Sequence, residues 1–186
     1  MNDESLRSRT LKGTFWSAAD AFLGQGVSFL VGIVLARLLS PDEYGLIGIC
    51  LIFTTVLNGI VDSGFSSALI RKKEVSQCDY NTMFFTNLGI SCVLYSSLFF
   101  CAPLISIFFG RAELITLVRA MGCVLFLNAL SITQYTSLTK RLDFKTKTKA
   151  SFTSAVGSGV IGIVMAYIGF GVWSLVAQQL SKQLLY

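Results

Sequence analysis

Two apolar stretches, residues 14–39 and 44–66, are separated only by Ser40-Pro41-Asp42-Glu43. Each exceeds the roughly 20 residues that a helix needs to cross the hydrocarbon layer. Inside lipid every backbone N–H and C=O must be paired within the segment, so a lone apolar stretch of this length crosses as a helix. The linker carries a helix-start signature: Ser40 as cap, Pro41 at the first helical position, and Glu43 closing a Ser-x-x-Glu capping box. These features predict a membrane helix hairpin, and the chain repeats the theme.

Further spans are expected at about residues 82–109, 114–139 and 150–168, with a shortened sixth at 172–186. The expected fold is an all-α integral membrane protein, a polytopic bundle of about six transmembrane helices. A sixth span ending at Tyr186 suggests one part of a longer protein. Composition agrees, with 53% hydrophobic and 13% charged residues, too little charge to cover a soluble domain. Of fifteen basic residues, twelve fall before span one, between spans two and three, between spans four and five, or at Lys182 in the sixth span. Only Arg37, Arg111 and Arg119 fall on the opposite side, which predicts a cytoplasmic N-terminus by the positive-inside rule. The net charge of +5 is thereby explained by topology rather than by nucleic acid. The run after Arg7, Arg9 and Lys12 is too long for a cleaved signal and is expected to remain as an anchor.

No histidine is present, which removes the commonest metal ligand and general base. Five cysteines without a CxxC indicate neither a zinc site nor a disulfide framework. No cofactor is expected, and no enzymatic site: a polyprenyl-phosphate enzyme would need clustered acids for Mg²⁺. Gly157-Ser158-Gly159-Val160-Ile161-Gly162 matches a dinucleotide fingerprint in letters only, because it lies within an apolar span and no acid follows it. Its small residues Ser158, Gly162 and Ala166 instead recur at the spacing that lets helices approach closely. Asp20, Gly24, Ser28, Gly32 and Ala36 form a similar stripe on the first span, expected to face protein or a watery cavity.

The candidate functional residues are those that lipid tolerates poorly. Asp20 and Asp62 lie at similar depth near the cytoplasmic ends of two helices expected to pair, so they are candidates for binding a coupling proton or sodium ion; the alternative is that each snorkels or pairs with Lys12, Arg71 or Lys72. Arg119 lies within a span, and with Arg37 and Arg111 it is a candidate for attracting an anionic substrate; the alternative is snorkelling to lipid phosphates. Gln25, Asn58 and Asn128 are candidates for lining a polar cavity, or for hydrogen-bonding between helices.

Four blocks carry a family resemblance: Phe15-Trp16-Ser17; Leu35-Ala36-Arg37-Leu38-Leu39-Ser40-Pro41-Asp42-Glu43-Tyr44-Gly45; Asp62-Ser63-Gly64-Phe65-Ser66-Ser67-Ala68-Leu69-Ile70-Arg71; and Gly169-Phe170-Gly171-Val172-Trp173-Ser174-Leu175-Val176. The chain resembles bacterial Wzx-type polysaccharide flippases of the multidrug/oligosaccharidyl-lipid/polysaccharide (MOP) exporter superfamily, especially colanic-acid and teichuronic-acid exporters. The resemblance implies a MATE-like protein of two six-helix lobes, of which residues 1–186 would form the N-terminal one. It also implies a location in the bacterial cytoplasmic (inner) membrane. The cargo would be an undecaprenyl-pyrophosphate-linked oligosaccharide, moved by alternating access, with polysaccharide polymerases and glycosyltransferases as possible neighbours. A drug or cation antiporter of the same fold and a non-transporting membrane fragment are the alternatives.

Overall fold

The computed structural model describes residues 3–62, 77–140 and 144–185, with side chains described for residues 21–61, 79–132, 136 and 146–185. The described residues form six helices: α1 (Asp3–Leu38), α2 (Pro41–Asp62), α3 (Gln77–Phe109), α4 (Leu114–Lys140), α5 (Phe144–Ile168) and α6 (Val172–Leu185). Five contain stretches long and apolar enough to cross a membrane: Ala21–Leu38, Pro41–Val61, Asp79–Phe109, Leu114–Ile132 and Thr146–Ile168. The polytopic all-helical expectation holds. Helices α1, α3 and α5 begin well before the apolar stretches at residues 14, 82 and 150, because polar ends can continue a helix beyond the hydrocarbon.

Three short connections gather at one end of the bundle, called here the short-loop end. At the first, the anticipated capping box is formed. The Ser40 N–H and hydroxyl both donate to Glu43 Oε2, at 2.7 and 2.9 Å, and the Glu43 N–H reaches Ser40 Oγ at 3.4 Å. At the other two, α3 and α5 end on glycines in the left-handed region, Gly110 (φ 66°) and Gly169 (φ 94°). The Arg111 N–H donates to Ser106 O and the Phe170 N–H to Met165 O, both at 3.1 Å, the six-to-one bonds of a Schellman ending.

Gly171 is also left-handed, with φ 55°, and a Cβ there would overlap Glu43 Oε1. Gly171→Ala is therefore expected to cost about 1–2 kcal/mol from backbone strain alone, and more from displacing the cap. Thermal unfolding in detergent checks this, and an unchanged midpoint would contradict it.

Small residues decide which helices pack. Gly159 on α5 lies against Val31 of α1, Gly162 against Gln178 of α6, and Gly122 of α4 against Tyr95 and Leu98 of α3. Ser158 and Ala166 are buried, as their four-residue spacing predicts. The resulting contacts run α1 to α5, α5 to α6, α6 to α4, and α4 to both α2 and α3.

The hairpin expectation fails in this respect. Helices α1 and α2 are consecutive yet share no extensive contact among the described residues; the Tyr44 hydroxyl donating to Gly32 O at 3.0 Å ties them near the short-loop end. The reason is complementary shape, since the groove at Gly159 receives Val31 of α1. The main core lies toward the short-loop end, joining Leu35, Ile47, Cys50, Leu98, Leu117, Met121 and Val176. A smaller cluster of Val61, Leu125 and Ala129 lies farther along. Outside, Phe22, Phe29, Phe85, Phe100, Phe108 and Tyr167 are exposed, a surface suited to acyl chains rather than water.

Candidate functional site

Two neighbouring side chains of α6, Lys182 and Gln183, bond to polar side chains of α1 and α4. Helix α6 is 14 residues long, and Lys182 lies ten residues beyond its start. At a rise of 1.5 Å per residue this places its Cα about 15 Å below the short-loop end, half of a roughly 30 Å hydrocarbon layer. The sequence-based expectation counted Lys182 among charges on the cytoplasmic side. In the structure the ammonium donates to Ser28 Oγ of α1 at 3.4 Å, and Ser28 is likewise ten residues from the end of its helix.

This lysine opens onto a cavity of about 240 Å³ lined by Ala21, Gly24, Gln25, Ser28, Ser151, Ala155 and itself. Gln25, a candidate from the sequence, is among these lining residues. None of these lining residues is acidic, so the cavity offers one cation, one amide and two hydroxyls. A cation at such depth is costly and usually has an anionic partner. The α1 stripe of small residues explains the cavity, because Gly24 and Ser28 leave room where bulkier residues would fill it.

The neighbouring Gln183 points another way. Its Nε2 donates to Asn128 Oδ1 at 3.0 Å, while Asn128 Nδ2 donates to Asn58 Oδ1 at 2.8 Å. The structure therefore brings Asn58 and Asn128 together as two members of an amide triad joining α2, α4 and α6. They are hydrogen-bonded to each other, the second of the two roles left open for them. Gln183 was not singled out in the sequence, and neither was Lys182 as a site residue. The available signal was register: both lie on the buried length of a helix whose start was marked by Gly169-Phe170-Gly171.

The three arginines do not converge. Arg111 pairs with Asp42 at 3.5 Å, with both side chains largely exposed. Arg37 is exposed in the last turn of α1. Arg119 turns toward α3, its guanidinium 3.9 Å from the centre of the Phe99 ring and its Nε buried without a hydrogen-bond partner among the described residues. Arg111→Ala is expected to change stability by less than about 1 kcal/mol, because exposed ion pairs contribute little. Chemical denaturation checks this, and a larger loss would contradict it. The side chains of Asp20 and Asp62 lie outside the described residues. Their helices share no extensive contact among the described residues.

Beside the capping box lies a second cavity, of about 380 Å³, lined by Glu43, Glu113, Leu117 and residues 169–173. It faces the short-loop end, well away from Lys182.

Comparison with known proteins connects this arrangement to a family. A family described as "Polysaccharide biosynthesis protein" matches residues 34–186. The succinoglycan biosynthesis transport protein ExoT of Rhizobium meliloti is 30% identical over 88% of the chain, which covers 33% of ExoT. The teichuronic acid biosynthesis protein TuaB of Bacillus subtilis is 27% identical over 98% of the chain and 38% of its own length. The lipopolysaccharide biosynthesis protein WzxC of Escherichia coli is 26% identical over 63% of the chain and 24% of its own length. The chain thus spans between about a quarter and two fifths of the length of these curated relatives. No solved structure matches it. With its multi-pass helical architecture, the chain belongs to the polysaccharide biosynthesis protein family, among the Wzx-type exporters that its Ser-Pro-x-Glu-Tyr-Gly block resembles.

Proposed function

We propose that residues 1–186 form the N-terminal lobe of a flippase that carries an undecaprenyl-pyrophosphate-linked oligosaccharide across the bacterial cytoplasmic membrane by alternating access. The observation that carries this reading is Lys182, an ammonium at mid-depth beside a polar cavity and bonded to a neutral hydroxyl. In low dielectric such a charge attracts a phosphate strongly, while lipid tails offer it nothing. Gln25 and the two serines supply donors and acceptors for sugar hydroxyls or phosphate oxygens. The names of the relatives, two in polysaccharide biosynthesis and one in succinoglycan transport, support the cargo class.

Arg119 belongs to the same reading as a cation nearer the short-loop end, which the basic-residue count assigns to the periplasmic side. Arg37 and Arg111 are exposed near that end and would meet an anionic head group on its exit. In this orientation the N-terminus is cytoplasmic. Asp20 and Asp62 remain the candidates for cation coupling, each acting on its own helix.

Complementation of a deletion strain tests the function. The wild-type gene should restore surface polysaccharide, and increased drug resistance with unchanged polysaccharide would instead assign a drug exporter of the same fold. Asp20→Asn and Asp62→Asn should each lower export severalfold and weaken its dependence on the ion gradient. Full export by both variants would remove these acids from the mechanism.

A further inference from the structure

Asn87 of α3 is wholly buried, and neither its Nδ2 nor its Oδ1 has a hydrogen-bond partner among the described residues. Buried amides are nearly always satisfied, so this one needs a reason. Its surroundings follow from register. One turn before it, Met83 packs with Ile132 of α4; one turn after it, Ser91 Oγ donates to Leu125 O at 3.3 Å. Residues four apart share a face of a helix. Asn87 therefore lies opposite residues 128–129 of α4. The same junction holds Val61, Leu125 and Ala129, with Leu57 and Ile90 packed against them. Asn58 and Asn128, bonded to each other, stand next in sequence to Leu57 and Ala129 of that cluster. In the described arrangement Asn128 serves Asn58 and Gln183 and leaves Asn87 unpaired.

We infer that Asn87 is the alternate partner of Asn128, and that α2 and α3 exchange it between two conformations of the bundle. In the described conformation the α2–α4 bond is made and Asn87 goes unsatisfied. In the other, Asn128 turns to Asn87, Asn58 is released, and α2 separates from α4. Leaving a buried amide unpaired or satisfying it is worth a population ratio of about five- to 150-fold, the range of an ordinary conformational coupling. The exchange supplies a two-state element for the alternating access proposed above. Its role rests on that reading, but the pairing itself does not, because it is measured without substrate.

The test uses spin labels at Ile60 of α2 and Leu130 of α4, both exposed, in a cysteine-free background of the protein in lipid nanodiscs. Wild type should give a short and a long distance. Asn87→Leu removes the unsatisfied amide and should raise the ratio of short to long at least fivefold. Asn58→Leu and Asn58→Ala free Asn128 and should shift the ratio at least fivefold the other way. The Asn58 pair is read together, so poor folding of one variant does not decide the result. A single unchanged distance in all proteins, or shifts of the Asn87 and Asn58 variants in the same direction, would overturn the exchange.

Discussion

Lys182→Gln is expected to lower polysaccharide export at least tenfold while leaving the protein folded in the membrane. A charge-assisted hydrogen bond between an ammonium and a phosphate is worth about 1.5–3 kcal/mol, or roughly ten- to 150-fold in equilibrium. Removing the charge should not destabilise the bundle, because a lysine at the centre of a span itself costs about 2.5–3.5 kcal/mol on insertion scales. The lost Ser28 contact is long, at 3.4 Å, and glutamine can replace it. Lys182→Arg keeps the charge and should retain more export than glutamine. Surface polysaccharide in a complemented deletion strain, normalised to membrane-protein level, measures both. Wild-type export by Lys182→Gln would remove the lysine from the binding role.

The second large effect is on stability. Asn128→Leu deletes both bonds of the amide triad and strands Asn58 and Gln183. Interhelical hydrogen bonds in membranes average about 0.6 kcal/mol each. Abandoned buried amides add to that, for a total expected loss of about 1–3 kcal/mol. The triad ties α2, α4 and α6 where the apolar core is sparse, so this loss should exceed that of Arg111→Ala at the exposed tip. Denaturant titration of both variants in mixed micelles orders them, and an equal or smaller loss for Asn128→Leu would contradict the assigned importance of the triad.

How far the sequence reveals this molecule depends on how local the physics is. Span number and position are legible because hydrophobic length is a property of each segment alone. The same holds for the Ser40–Glu43 cap, whose partners are three residues apart. Helix pairing is less legible, since it depends on which surfaces fit. The short linker at residues 39–40 suggested that α1 and α2 pack together, whereas Val31 meeting Gly159 sets α1 against α5. Nothing in either segment alone announces that contact. The candidate site divides in the same way. Gln25, Asn58 and Asn128 stood out as polar residues in apolar spans, and the structure gives each an environment. Lys182 was counted with the cytoplasmic charges near the inner end of the sixth span because it lies close to Tyr186, although counting from Val172 sets it near mid-depth. Gln183 becomes informative only once Asn128 is seen beside it.

The most direct measurement places the protein in proteoliposomes with a polyprenyl-pyrophosphate oligosaccharide in the inner leaflet and a sugar-oxidising reagent outside that cannot cross the membrane. Wild-type protein should expose the sugar to oxidation many times faster than protein-free vesicles, and Lys182→Gln should bring the rate back toward theirs. Oxidation no faster with wild-type protein than without it would contradict the proposal that this protein carries a lipid-linked glycan across the bilayer.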